Sequence, residues 1–436
     1  MNQPIKTKDR DAIIQALNAG VVPRLGLRHI QVGRAREVEA LVKDVERIAD
    51  TGAAIRVVVG EYGAGKTFFL NLVRLIALEK GLVVVNADLG PDRRLHATGG
   101  QARSLYGELM RNLSTRTRSD GGALPSVVER FISKSHDDAT ASGRRVVDVL
   151  RERLAPLEEQ VSGYDFAAVI IAYWHASEAG DEETKSAALR WLRGEWATRT
   201  DARNALGVVR TIIDDAAIYD YLKLIAQFVR LSGYKGVLVV LDEMVNLYKL
   251  QNSQARNANY EQILRIFNDV LQGSACGLGF VMGGTPEFLM DTRRGLYSYQ
   301  ALQSRLAENA FARNGLIDLS GPVVRLQSLT PEDLYILLAN IRNVFAGGDP
   351  ARHLVPDEAM SAFMQHCSQR IGDAYFRTPR NTVKAFVNLL SVLEQNPGAT
   401  WGALLGSVDV VADQAEPDQG ALADDGDDDE LSSFRL

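Results

Sequence analysis

The sequence predicts an α/β protein: a parallel five-stranded sheet in a three-layer core, a large helical insertion, and a C-terminal helical bundle. Three observations carry this. Five short apolar, β-branched runs are separated by helical patterns, the alternation that gives a parallel sheet covered on both faces. The first run leads through a glycine-rich loop straight into a helix and a second run, so those two strands pair through a right-handed crossover. Two long stretches, about 91–235 and from Thr330 to about Trp401, carry helical patterns and no further strand.

Along the chain, 9–19 (DRDAIIQALNA) reads as a short amphipathic helix stopped by Gly20, and 37–48 (EVEALVKDVERI) has Val38, Leu41, Val45 and Ile48 on one face. Strands follow at 56–59, 82–87, 237–241, 278–282 and 323–326, with a helix at 67–80 between the first two. Within the insertion, helices are expected at 102–113, 127–135, 146–157, 166–178, 184–198 and 216–231. Thr330-Pro331-Glu332-Asp333 has the form of a capping box with proline at the first helical position. The expected organisation is 1–90, an N-terminal helix and the first part of the core; 91–235, the insertion; 236–328, the second part of the core; 329–411, the helical bundle; and 412–436, an acidic, disordered tail.

Composition narrows the function classes. The net charge of −6 comes from the tail: residues 413–430 hold nine acidic residues and no basic one, leaving 49 basic against 46 acidic elsewhere. That balance permits nucleic-acid contact without requiring it. The longest apolar run, 166–174, is far short of the ~20 residues that span a bilayer, so no membrane association is expected. Cys276 and Cys367 are far apart and the six histidines lack metal-ligand spacing, which points to a reducing, cytoplasmic setting without a disulfide scaffold.

The strongest motif is Gly60-Glu61-Tyr62-Gly63-Ala64-Gly65-Lys66-Thr67, which fits G-x-x-x-x-G-K-[ST] between a buried strand and a helix. Glycines let consecutive backbone N–H groups turn toward phosphate oxygens, and the helix adds the positive end of its dipole. Lys66 is expected to reach the β- and γ-phosphates, and the Thr67 hydroxyl to ligate Mg²⁺. The second motif is the run 237–241 ending in Asp242-Glu243, two carboxylates at the carboxyl end of a strand. Asp242 is the expected Mg²⁺ ligand and Glu243 the general base that polarises water. No N-K-x-D guanine reader occurs, so ATP is expected rather than GTP.

These motifs and the helical C-terminal bundle resemble the AAA+ ATPases, in the origin-recognition-like branch, and within it the ATP-binding proteins of BREX phage-defence systems (BrxD-like). The resembling stretches are 60–70 (GEYGAGKTFFL), 205–215 (ALGVVRTIIDD), 233–243 (GYKGVLVVLDE), 283–288 (GGTPEF) with Arg293-Arg294-Gly295, and the arginine-bearing segments around Arg305 and Arg380. The resemblance implies a P-loop AAA+ core with a helical lid, and further roles. Thr285 would orient the attacking water. Arg305, with Arg313 as competitor, would reach a neighbouring subunit's γ-phosphate, and Arg380 would report the γ-phosphate to the lid. Val32, with Val22 and Ile30, would line the adenine side, and Phe68 would follow the loop at the nucleotide. It also implies a homo-oligomer acting on DNA or on a DNA-processing defence protein such as a helicase, either as an ATPase or as an ATP-dependent assembly switch with little turnover. A P-loop kinase for a small molecule fits less well, because the Asp-Glu pair suits water activation. Weaker signals are Arg93-Arg94, Arg293-Arg294 and the Arg/Trp-rich 190–203 as nucleic-acid contacts, and 431–436 (LSSFRL) as a docking peptide.

Overall fold

In the computed structural model, which describes residues 4–312 and 318–406, five strands form one parallel sheet: β1 (Ala53–Gly60), β2 (Val83–Asp88), β3 (Val237–Asp242), β4 (Leu278–Gly284) and β5 (Val323–Leu326), in the order β2-β3-β4-β1-β5. Every residue of β3 and β4 is buried. Successive side chains point to opposite faces, so both faces are covered, as an all-parallel sheet requires. Val85 pairs with Val239 and Val239 with Phe280, which brings Asp88 beside Asp242 at the carboxyl ends of β2 and β3. The outer edge of β2 is closed by a two-bond bridge between Val84 and Ser114, which removes a row of free backbone groups.

Over the described residues the chain divides into two compact units: one comprises 4–38, 58–72 and 325–406, the other 39–57, 73–312 and 318–324. In the first unit, the helices Pro331–Phe345, Asp357–Ile371 and Arg380–Gln395 pack around Leu338, Phe345, Phe363, Phe386 and Leu390. The N-terminal helix Thr7–Asn18 joins the same core through Ile13. Arg10 fixes it there, donating to the Phe345 carbonyl at 3.0 Å and pairing with Glu394. The capping box at Thr330 is present in both directions: Thr330 Oγ1 accepts from the Asp333 N–H, and the Asp333 carboxylate accepts from the Thr330 N–H. Thr330→Ala is expected to destabilise this unit by about 1 kcal/mol, measurable as a lower thermal midpoint; an unchanged midpoint would show that the cap contributes nothing.

In the second unit, the insertion is helical from Gln101 to Leu231, built on one aromatic chain of contacts. Phe228 meets Phe131 at 5.1 Å and Phe166 at 5.4 Å; Trp191 meets Phe166 at 6.5 Å and Tyr221 at 5.8 Å. The expected helix over 184–198 is shorter than the pattern suggests. It runs Glu182–Leu192, because Gly194 takes a left-handed turn (φ +70°) and the Trp196 indole folds back to donate to the Ala187 carbonyl at 3.1 Å. A separate helix, Arg199–Leu206, follows under a Thr198 cap. Trp191 is 1% exposed, and Arg190 stacks on Trp196 at 4.0 Å, so the tryptophans of this stretch are packing residues. No helix is long and apolar enough to cross a membrane among the described residues.

Candidate nucleotide site

β1 delivers the chain into the loop Gly60–Gly65, and the helix Lys66–Glu79 starts immediately after it. Gly63 (φ +77°) and Gly65 (φ +76°) hold left-handed conformations that only glycine adopts cheaply. Gly60 is tight for another reason: a Cβ there would lie 3.1 Å from the Leu326 carbonyl and 3.2 Å from Ala64. The Lys66 ammonium donates to the Gly60 and Glu61 carbonyls at 2.9 and 3.0 Å, so it spans the mouth of the loop. The first-turn amides of the helix have no intrahelical acceptor and form an anion cradle. Thr67 is exposed on that turn, and Phe68 packs against the core of the helical bundle.

Two arginines of the same unit reach this loop. Arg380, at the start of helix Arg380–Gln395, donates to the Gly20 carbonyl at 2.7 Å and to the Tyr62 hydroxyl at 3.4 Å. Just before it, Thr378 lies so close to Gly63 that a Cβ would meet its side chain at 2.8 Å and its Cα at 3.0 Å. The turn Thr378-Pro379-Arg380 therefore covers the phosphate loop. The second arginine is Arg34. Its guanidinium donates to the Ala64 carbonyl and, at 3.3 Å, to Gln327, and its backbone is left-handed (φ +60°). Burial lowers its pKa, partly offset by Glu37 and Asp333. The one signal of Arg34 in the sequence is its place directly before the helix Ala35–Ala49. Val22 and Val32 are half-buried, whereas Ile30 is 3% exposed within the bundle core.

The second unit holds the carboxylates. Asp242 closes β3 at 7% exposure, and its Oδ1 accepts from the Glu243 N–H at 2.9 Å. Glu243 is exposed and has φ +56°, an uncommon conformation for a non-glycine residue. Of the four such residues among the described ones, Arg34 and Glu243 both belong to candidate site segments. Thr285 follows β4 and caps the short helix Pro286–Met290 through the Phe288 N–H, the local turn that Gly284 and Pro286 favour. Arg305 is half-buried and held within its own unit, donating to Asn268 Oδ1 at 2.9 Å and to the Ala301 carbonyl at 2.8 Å. Arg313, the acidic stretch 413–430 and the terminal 431–436 lie outside the described residues.

The loop's own donor set, a glycine cradle, a lysine and a hydroxyl, suits the phosphates of a nucleotide. No cluster of three or more His, Cys, Asp or Glu able to hold a metal occurs among the described residues. Magnesium held by one or two protein oxygens plus phosphates and water needs no such cluster.

Residues 5–409 match the model of the BREX system ATP-binding proteins BrxC/D. The chain belongs to this family. It is therefore an ATP-binding protein of that phage-defence system. No curated protein matches the chain.

Proposed function

We propose that this BrxC/D family protein hydrolyses ATP, works as a homo-oligomer in the cytoplasm, and uses the nucleotide to act on DNA or on a DNA-processing partner such as a helicase. Lys66 and the amides of Gly60–Thr67 hold the phosphates, with Tyr62 and Phe68 beside them and Val32 on the adenine side. Thr67 and Asp242 would hold Mg²⁺, which would neutralise charge on the phosphate oxygens. Glu243 takes the proton of the attacking water, and Thr285 orients that water. Arg380 passes the state of the γ-phosphate to the helical bundle. Arg305 serves the site of a neighbouring subunit, which requires release of its bonds to Asn268 and Ala301.

The observation that carries hydrolysis, rather than binding alone, is the backbone of Glu243. A left-handed glutamate costs of order 1 kcal/mol or more and persists where the surroundings enforce it. Enforcing it at the second of two carboxylates suits a base that must face a fixed point. An assembly switch with little turnover is the second reading, favoured by the closed hydrogen bonding of Arg305. ATPase assays with and without DNA, together with mass measurement in a non-hydrolysable analogue, separate the two. DNA-stimulated phosphate release from an oligomer supports the first; assembly without release supports the second; a monomer that releases no phosphate refutes both.

A further inference from the structure

Glu243 and Thr285 leave neighbouring strands, and the structure ties them at two places. The near tie is the Met244 N–H, which donates to the Gly283 carbonyl at the end of β4 at 3.0 Å. The far tie lies beyond two short helices. Val245–Tyr248 follows Glu243, and Pro286–Met290 follows Thr285. Their ends meet where the Tyr248 hydroxyl donates to Asp291 Oδ2 at 3.0 Å. Covalent chain and these two bonds make a closed circuit through Met244, Tyr248, Asp291, Thr285 and Gly283, and Glu243 stands directly before it, joined by the peptide group whose N–H is the near tie.

The far tie is itself braced. Asp291 Oδ1 accepts from the N–H groups of Arg293 (2.7 Å) and Arg294 (3.2 Å). Arg294 returns across the junction: its guanidinium stands over the Tyr248 ring at 5.4 Å and donates to the Tyr248 and Leu250 carbonyls, both at 3.2 Å. Arg256, 8% exposed, donates to the same Leu250 carbonyl at 2.7 Å. The Tyr260 hydroxyl holds the Arg294 carbonyl at 2.7 Å. Carbonyls at the end of a helix carry partial negative charge, so two guanidinium groups there are electrostatically favoured. Burial and the adjacent Asp291 raise the Tyr248 pKa, so its hydroxyl remains a donor. The arginine pair 293–294, read from sequence as a nucleic-acid contact, thus divides: Arg293 is exposed, and Arg294 is part of the brace.

We infer that Tyr248, Asp291 and Arg294 are positioning residues that set the carboxylate of Glu243 at a fixed place relative to Thr285. The inference rests on the proposed hydrolytic roles of those two residues. The near tie holds the peptide group that follows Glu243, so the circuit restrains the carboxyl side of that residue and opposes its relaxation out of the left-handed conformation. A displacement of about 1 Å at a general base costs up to ~100-fold in rate, while nucleotide binding at the phosphate loop is unaffected.

The test is Tyr248→Phe, which keeps the ring beneath Arg294 and removes only the hydroxyl. In the full-length protein, ATP turnover is expected to fall about tenfold, the loss of roughly one net hydrogen bond's ordering, with KM for ATP within twofold. Asp291→Ala should fall further and Asp291→Asn should recover part of it, because the amide oxygen still accepts. Unchanged turnover in both Tyr248→Phe and Asp291→Ala, or a rise in KM without change in kcat, overturns the inference. Amide hydrogen exchange without nucleotide gives a readout independent of hydrolysis. Tyr248→Phe should speed exchange at Met244 and Asn246 and also across 286–291; faster exchange in one segment alone shows that no tie joins them. If the wild-type protein releases no phosphate, the hydrolytic reading fails, and paired exchange changes would still establish the tie.

Discussion

Replacing Glu243 by glutamine is expected to leave ATP binding intact and to lower turnover by roughly 10²–10⁴-fold, the range spanned by a positioned general base. Glutamine keeps the volume of the side chain and meets the same cost at φ +56°. Its amide cannot take a proton from water. The substitution leaves Asp242 and the hydrogen bond from the residue-243 N–H to Asp242 Oδ1 in place, because that bond uses the backbone. Calorimetry with ATP and Mg²⁺ should therefore give an affinity close to wild type, and phosphate release should be nearly abolished. Undiminished turnover would remove Glu243 from the mechanism.

The parts legible in the sequence are those whose signal is local. β5 falls on the expected residues, and the other strands differ only at their ends, because apolar runs bounded by glycine leave few other solutions. The Thr330 box is a four-residue pattern and needs no knowledge of the fold. The glycine-rich loop between β1 and the helix Lys66–Glu79 is equally local. Spacing does not reveal bonds between distant residues. Arg34 meets Ala64 across 30 positions, and Tyr248 meets Asp291 across 43. Neither pair has a periodicity that could expose it, and Glu243's conformation has no compositional signature. The N-terminal helix is an intermediate case. Its amphipathic pattern announced a buried face, but placing Ile13 against the bundle that begins more than 300 residues later required the structure. Helix 184–198 failed for a related reason: the pattern continued through Gly194, where the left-handed turn and the returning Trp196 end the helix.

Lys66→Ala is expected to do what Glu243→Gln does not, and abolish binding itself. The ammonium is placed over the loop by the Gly60 and Glu61 carbonyls, which hold it without neutralising its charge. A charge-assisted hydrogen bond to phosphate contributes about 1.5–3 kcal/mol. Losing contacts to two phosphates should weaken ATP binding by about 100-fold or more, and turnover falls with it. The two variants can be told apart by stability. A ligand that binds only the folded state adds about 2.7 kcal/mol when present at a hundredfold excess over Kd. Wild type and Glu243→Gln should both show a rise in thermal midpoint with ATP and Mg²⁺, whereas Lys66→Ala should show almost none at the same concentration. Without nucleotide, Lys66→Ala should melt close to wild type, because its hydrogen bonds to the Gly60 and Glu61 carbonyls lie at a partly exposed loop. If Lys66→Ala retained the ATP-induced rise, the phosphates would not lie in the Gly60–Thr67 loop. The contact of Arg380 with Tyr62 and the seat of Thr378 on Gly63 would then be packing features of the bundle rather than the means by which it responds to nucleotide.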